Sequence, residues 1–128
     1  MEIEKLSLQE FTDRLNYGAD SKNPHNKRDS DAQWNLREIP DPPESLWLRG
    51  YLPTSDTKLL AVVGSRALTR YGREATEMLI SGLTGYPISI VSGLALGADA
   101  AAHKAALDAG LHTIAIPGGG VDDVDRQR

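Results

Sequence analysis

Three glycine-bearing stretches hold the residues best suited to chemistry: Gly64-Ser65-Arg66, Ser92-Gly93-Leu94-Ala95-Leu96-Gly97 and Pro117-Gly118-Gly119-Gly120. Glycines permit tight turns and let another backbone come close. A glycine turn that opens a helix is also a ready place to hold an anion. Arg66 offers a planar fork matched to phosphate, and Ser65 a hydroxyl for the same oxygen. Arg70 and Arg73 add positive charge close by in sequence. Lys104 falls in the second turn of the helix after the second stretch. Helical side chains lean toward the N-terminus, so its stem can carry the ammonium back toward the loop. Asp99 is expected to cap that helix, leaving other first-turn N–H groups free to face an anion. The site expected on this reading comprises Gly64, Ser65, Arg66, Ser92, Gly93, Gly97, Lys104 and Arg70.

Plainer roles compete at each position. The glycines and the alanines around them could serve only close packing of helix on sheet. A lone arginine more often pairs with a surface carboxylate, and Tyr71, which could stack on a base, is as a single aromatic more often packing. His103 has no evident acid–base partner and is read as structural, a hydrogen-bond donor to the second loop. His25, His103 and His112 lack metal-ligand spacing with one another or with carboxylates, so no metal is expected. No G-x-x-x-x-G-K-[ST] occurs, and "GSRALTRYG" after the first apolar run lacks G-x-G-x-x-G. Neither a P-loop nor a dinucleotide site is expected, and no cofactor. Ser92 in "VSGLA" is only loosely like a nucleophile elbow, since G-x-S-x-G is absent.

The loops need elements to position them. "KLLAVV" (Lys58–Val63), Ile88–Val91 and "HTIAI" (His112–Ile116) are apolar runs of strand length. Between them, Arg73–Leu83 carries Ala75, Met78, Leu79 and Leu83 at helical spacing, and Asp99–Ala109 is rich in alanine. Strand, helix, strand, helix, strand predicts an α/β fold, a parallel sheet covered by helices. Right-handed crossovers make the three strands adjacent, the first half of a doubly wound, Rossmann-like domain. Ligands bind such sheets beyond the carboxyl ends of the strands, where all three glycine stretches emerge, so they can form one site.

The polar residues gather before this core. Ser7-Leu8-Gln9-Glu10 reads as a capping box, with Leu8, Phe11 and Leu15 on one face of a short helix stopped at Gly18. Residues 19–33 read as a flexible linker. "WNLREIPDPPESLWLRGYLP" (Trp34–Pro53) is too rich in proline for a helix. An extended segment covering part of the core is expected, with Leu46–Arg49 a short edge strand. The expected organisation is therefore a helix and linker over 1–33 and a partial domain over 34–128, itself a lead-in (34–57) and a βαβαβ core (58–128).

With 128 residues and no cysteine, the chain is at most one domain without disulfides, suited to a reducing cytoplasm. The start lacks a signal peptide, and no apolar run approaches the roughly 18 residues of a membrane span. The net charge of -4 argues mildly against nucleic acid, but a local cluster of Arg and Lys can override it.

With those residues laid out, the chain resembles the DprA/Smf family of bacterial DNA-processing proteins. The matching pieces are "LREIPDPPESLWLRG" (Leu36–Gly50), "AVVGSRALTRYG" (Ala61–Gly72), "IVSGLALGADAAAHKAALDAG" (Ile90–Gly110) and "TIAIPGGGVDDV" (Thr113–Val124). The resemblance implies a non-enzymatic protein with a Rossmann-like core that binds single-stranded DNA. It also implies dimerisation and delivery of strands to the RecA recombinase during natural transformation. Arg66 and Lys104 correspond to residues of the family's basic DNA-binding pocket.

The chain departs from that pattern at its end, "VDDVDRQR", where Asp125 stands in place of an expected Tyr. A fragment, a truncated reading frame or a reduced relative is expected. The resemblance places the dimer and RecA surfaces in the absent half, so those activities would need it, and the first core strand should keep an open edge. An alternative from another class is a nucleotide phosphoribohydrolase of the LOG type. "PGGGVDDV" (Pro117–Val124) echoes the start of its PGG-x-G-T-x-x-E motif but lacks the Gly-Thr and the Glu.

Overall fold

An apolar run with no polar face has nothing to offer solvent, so a parallel sheet takes it in and helices cover it. In the computed structural model, which describes residues 2–17, 36–53 and 56–122, three such runs pair in one sheet, and the middle one is the most buried. β3 (Lys58–Ala61), β4 (Ile88–Ser92) and β5 (His112–Ala115) form a parallel sheet in the order β3-β4-β5. Leu60 aligns with Ile90, and Ile90 with Thr113. α2 (Arg70–Ser81) links β3 to β4, and α3 (Ala98–Asp108) links β4 to β5.

The core of this unit lies between the sheet and its two helices. Ile90, fully buried, meets Ile80 of α2 and Ala102, Ala105 and Ala106 of α3, with Leu111 closing one end. Ile88, two residues before Ile90 on the same face of β4, packs against the same cluster. Both helices therefore cover one face of the sheet, and they also pack on each other. The alanines matter by their size: a helix whose buried face is Ala98, Ala101, Ala102, Ala105 and Ala106 can lie close to the strands.

The elements agree with the sequence expectation and their ends differ from it for local reasons. α2 starts at Arg70 rather than Arg73, because the Thr69 hydroxyl accepts a hydrogen bond from the Gly72 N–H and caps the helix there. α3 starts at Ala98, with Gly97 at the N-cap position in a positive-φ conformation (φ 79°) and no side-chain cap. Asp99 is thus inside the first turn and is not the cap. β3 ends at Ala61, although the Val62 N–H still donates to the Val91 carbonyl at 2.9 Å.

Met1–Asp56 form the other compact unit, and Thr57–Arg128 the one just described. β1 (Ile3–Ser7) pairs antiparallel with β2 (Ser45–Arg49), and α1 (Leu8–Tyr17) packs on both. β2 contains the strand expected at Leu46–Arg49, but it forms a two-stranded sheet with β1 and does not join the three-stranded sheet; β1 had no counterpart in the sequence expectation. The Ser7 hydroxyl accepts from the Glu10 N–H at 3.1 Å, as the capping-box spacing predicts. Leu6 and Leu15 are buried. Lys5 lies over the ring of Trp47, its register partner, at 5.2 Å from the centroid. The expected linker at 19–33, the stop at Gly18, Trp34 and Asp125 fall outside the described residues. Among the described residues no helix is long and apolar enough to cross a membrane.

Two outcomes check this account. Ile90→Ala should lower stability by about 2–5 kcal/mol in urea unfolding, the cost of emptying a fully buried aliphatic site. The second concerns Glu4, whose carboxylate accepts a hydrogen bond from Arg14 at 2.7 Å, which holds its pKa below the usual value. A depressed folded-state pKa gives stability that is present above the unfolded pKa and is lost as pH falls through the folded value. Arg14→Ala should return the Glu4 titration, followed by NMR, to the ordinary glutamate range.

Candidate functional site

The carboxyl ends of β3, β4 and β5 open onto a cleft of about 470 Å³. Arg66 lines it from the loop after β3, Gly93 to Leu96 from the loop after β4, and Ile116 to Gly119 from the loop after β5. Asp99 reaches it from the first turn of α3. All three glycine stretches thus contribute to one concavity.

The first two loops are held together by backbone contact. The Ala98 N–H, the first orphan donor of α3, gives its hydrogen to the Ser65 carbonyl at 3.0 Å. Gly97 lies directly beneath: a Cβ there would run into the Ser65 and Arg66 carbonyls, and its φ of +79° already disfavours any side chain. The Ser65 hydroxyl turns inward to accept from the Ala67 N–H at 3.0 Å, which shapes the turn that presents Arg66. Arg66 is exposed, and among the described residues its guanidinium has no ion-pair partner.

The second loop is tied down from behind. His103, buried on α3, places Nε2 2.5 Å from the Gly93 carbonyl and Nδ1 2.6 Å from the Thr113 hydroxyl. A carbonyl only accepts, so Nε2 carries a proton and donates to the loop, the role expected for this residue. The Thr113 hydroxyl, beside Nδ1, also donates to the Ile90 carbonyl at 3.1 Å. Ser92, also buried, stands 2.6 Å from the Val62 carbonyl and 2.9 Å from Asp99 Oδ1, tying β3, β4 and α3 at one point.

The expected site residues separate into groups. Arg66 and Gly93 line the cleft; Gly64, Ser65, Ser92 and Gly97 lie beneath it as its scaffold. Lys104 and Arg70 do not reach it. Lys104 is on the exposed side of α3, its ammonium 3.4 Å from Asp108, and Arg70 donates to Glu74 at 3.0 Å. Sequence reasoning missed Asp99 as a lining residue, together with the apolar rim of Leu94, Leu96 and Ile116. The available signal for Asp99 was its place two residues past a glycine turn, where a carboxylate suits the positive end of a helix without being its cap. Among the described residues no three His, Cys, Asp or Glu side chains converge as a metal site requires.

Comparisons with known proteins bear on this geometry. The sequence profile of a family described as DNA recombination-mediator protein A matches residues 23–127. DNA processing protein DprA of Streptococcus pneumoniae is 47% identical over 89 residues, covering 70% of this chain and 31% of that protein. Protein Smf of Escherichia coli K12 is 39% identical over 88 residues, covering 69% of this chain and 24% of Smf. The X-ray structure of the S. pneumoniae DprA superposes with a TM-score of 0.58 at 45% identity, over 73% of this chain and 33% of that one. The chain thus spans about a third of the pneumococcal relative or less of the others named.

The loop contact predicts a difference between two glycines. Gly97→Ala meets both backbone strain and collision, whereas Gly110→Ala, at φ +73° with open space around it, meets strain alone. Strain of this kind costs about 1–3 kcal/mol. Urea unfolding should therefore find Gly97→Ala the more destabilised of the two; equal losses would mean that the loops do not depend on their close approach.

Proposed function

The chain belongs to the DNA recombination-mediator protein A family, the DprA/Smf proteins, and on that premise we propose that its cleft binds single-stranded DNA without catalysing a reaction on it. The observation that carries the reading is Arg66. It stands at a cleft between glycine turns, with no ion-pair partner among the described residues, while Arg70 and Lys104 are drawn to Glu74 and Asp108. An unpaired guanidinium suits a phosphate, which it grips with two parallel hydrogen bonds. Gly118, with open space where a Cβ would stand, leaves room for a polymer backbone to come close. The net charge of -4 is spread over the whole chain and does not oppose one local cation.

Of the residues expected at the site, the proposal gives direct phosphate contact to Arg66, and to Gly64, Ser65, Ser92, Gly93 and Gly97 the shaping of the loops. Lys104 and Arg70, each beside a carboxylate on its own helix, are given a weaker, longer-range part. The wider role follows the resemblance: in the cytoplasm, strands are delivered to a RecA-type recombinase in DNA recombination and natural transformation, by an assembly that dimerises. Because the chain spans 31% of the pneumococcal relative, this wider role is proposed for the region as part of that activity.

Fluorescence anisotropy with labelled single-stranded oligonucleotides tests the reading. Binding should weaken steeply with salt, as counterion release requires, by about 0.7 in log–log slope per phosphate contacted. Arg66→Ala should weaken binding roughly tenfold and lower the salt slope by about one contact, and Lys104→Ala should have a smaller effect. Salt-independent binding, or an Arg66→Ala chain as tight as the parent, sinks the proposal. Release of ribose 5-phosphate from a nucleoside monophosphate would favour the phosphoribohydrolase instead.

A further inference from the structure

The cleft contains a group that a phosphate site does not call for. Asp99 lines it, and its carboxylate is held in place: Oδ1 accepts from the Ser92 hydroxyl at 2.9 Å, and Oδ2 occupies the space beside Gly93. A Cβ on Gly93 would lie 2.7 Å from Oδ2, so the glycine makes room for the carboxylate. The carboxylate also belongs to the first turn of α3, where the positive end of the helix favours a negative charge. The place where a phosphate would gain most from that helix is thus taken by the protein's own anion. A second anion beside it would meet like-charge repulsion.

A carboxylate recognises hydrogen-bond donors. A nucleotide is the ligand unit that brings both chemistries together, an anion for Arg66 and N–H donors on its base. The remaining walls fit a base as well. Leu94, Leu96 and Ile116 give apolar surface, and Leu96 and Ile116 are 62% and 65% exposed, available to a flat ring. A cleft of about 470 Å³ is in the range that small-molecule units fill.

Resting on the strand-binding reading, we infer that Asp99 is a base-selecting residue and that the cleft prefers guanine. On its Watson–Crick edge guanine presents the N1–H and the N2 amino group side by side, two donors that a carboxylate accepts together. Adenine and cytosine set one amino group beside a ring nitrogen acceptor. Thymine sets a single N–H between two carbonyl oxygens, which a carboxylate repels. A good two-bond pairing discriminates against a wrong base by an amount equivalent to roughly tenfold in affinity.

The test compares thymidine oligonucleotides of about 15 residues, a span within single-strand site sizes. One carries only thymine, one a single internal guanine, and one a single hypoxanthine, which lacks the 2-amino group. At fixed salt the guanine strand should bind the full chain roughly tenfold more tightly than the thymine strand, with hypoxanthine between them. Asp99→Asn, which keeps an oxygen to accept from Ser92, should remove the difference between the guanine and thymine strands. Equal affinity of the parent chain for all three strands overturns the inference, and so does a preference that survives in Asp99→Asn. If circular dichroism finds Asp99→Asn unfolded, the hypoxanthine series on the parent chain decides alone. Failure of every strand to bind overturns the strand-binding reading itself, a result distinct from binding without preference.

Discussion

The approach of the Ser65 carbonyl to Gly97 and Ala98 sets the geometry of everything at the carboxyl end of the sheet. One hydrogen bond, from the Ala98 N–H, makes the contact, and two missing side chains allow it. A Cβ on Gly97 would strike the carbonyls of Ser65 and Arg66, and one on Gly64 would lie 2.6 Å from the Ala98 Cβ. The net worth of a single backbone hydrogen bond is about 1 kcal/mol. Its effect here exceeds that figure because it fixes where the chain leaves β3, and hence where Arg66 stands. The same bond supplies a partner to a helix-terminal donor that has no side-chain cap. A helix start and a loop anchor are thus one interaction.

Beneath that contact runs a chain of buried polar groups, each satisfied by its neighbour. His103 joins the Gly93 carbonyl to Thr113, and Ser92 joins Val62 to Asp99. These side chains reach from α3 or β4 to the strands and loops around them, so the polar groups link the elements that the apolar core leaves free to slide. Alanine packing gives closeness without direction; hydrogen bonds give direction. Together they explain how a helix with so little bulk on its buried face can position a loop.

Much of the fold was legible in the sequence because the signals are local. Continuous apolar runs bounded by glycine and proline mark β3, β4 and β5, and the alternation of strand and helix gives the parallel order. β1 was not legible. Its partner β2 lies about forty residues away, and "IEKLS" buries only Leu6, so nothing nearby betrays the pairing. The three loops that line the cleft were legible in the sequence, while two side chains stand elsewhere than local spacing put them. Asp99 looks like an N-cap by composition, yet Gly97 takes that position since only glycine fits under Ser65. Lys104 leans toward the helix N-terminus by the general geometry of helices, but Asp108, four residues on, offers a nearer carboxylate across the exposed side of α3. Side-chain competition of this kind depends on which face of the helix is buried, and an alanine-rich helix conceals that face.

The cleft takes lining from the ends of all three parallel strands, from Arg66 to Gly119. A partly assembled sheet with only two strands paired would lack one wall. Any ligand touching all three loops therefore binds the completed sheet and not its partial forms, and its binding energy becomes folding energy. At a concentration one hundred times its dissociation constant, such a ligand adds about 2.7 kcal/mol to the folded state. For a marginally stable domain that is a substantial share of the total. The concavity thus serves as a clasp as well as a binding surface, and whatever fills it holds closed the sheet that formed it.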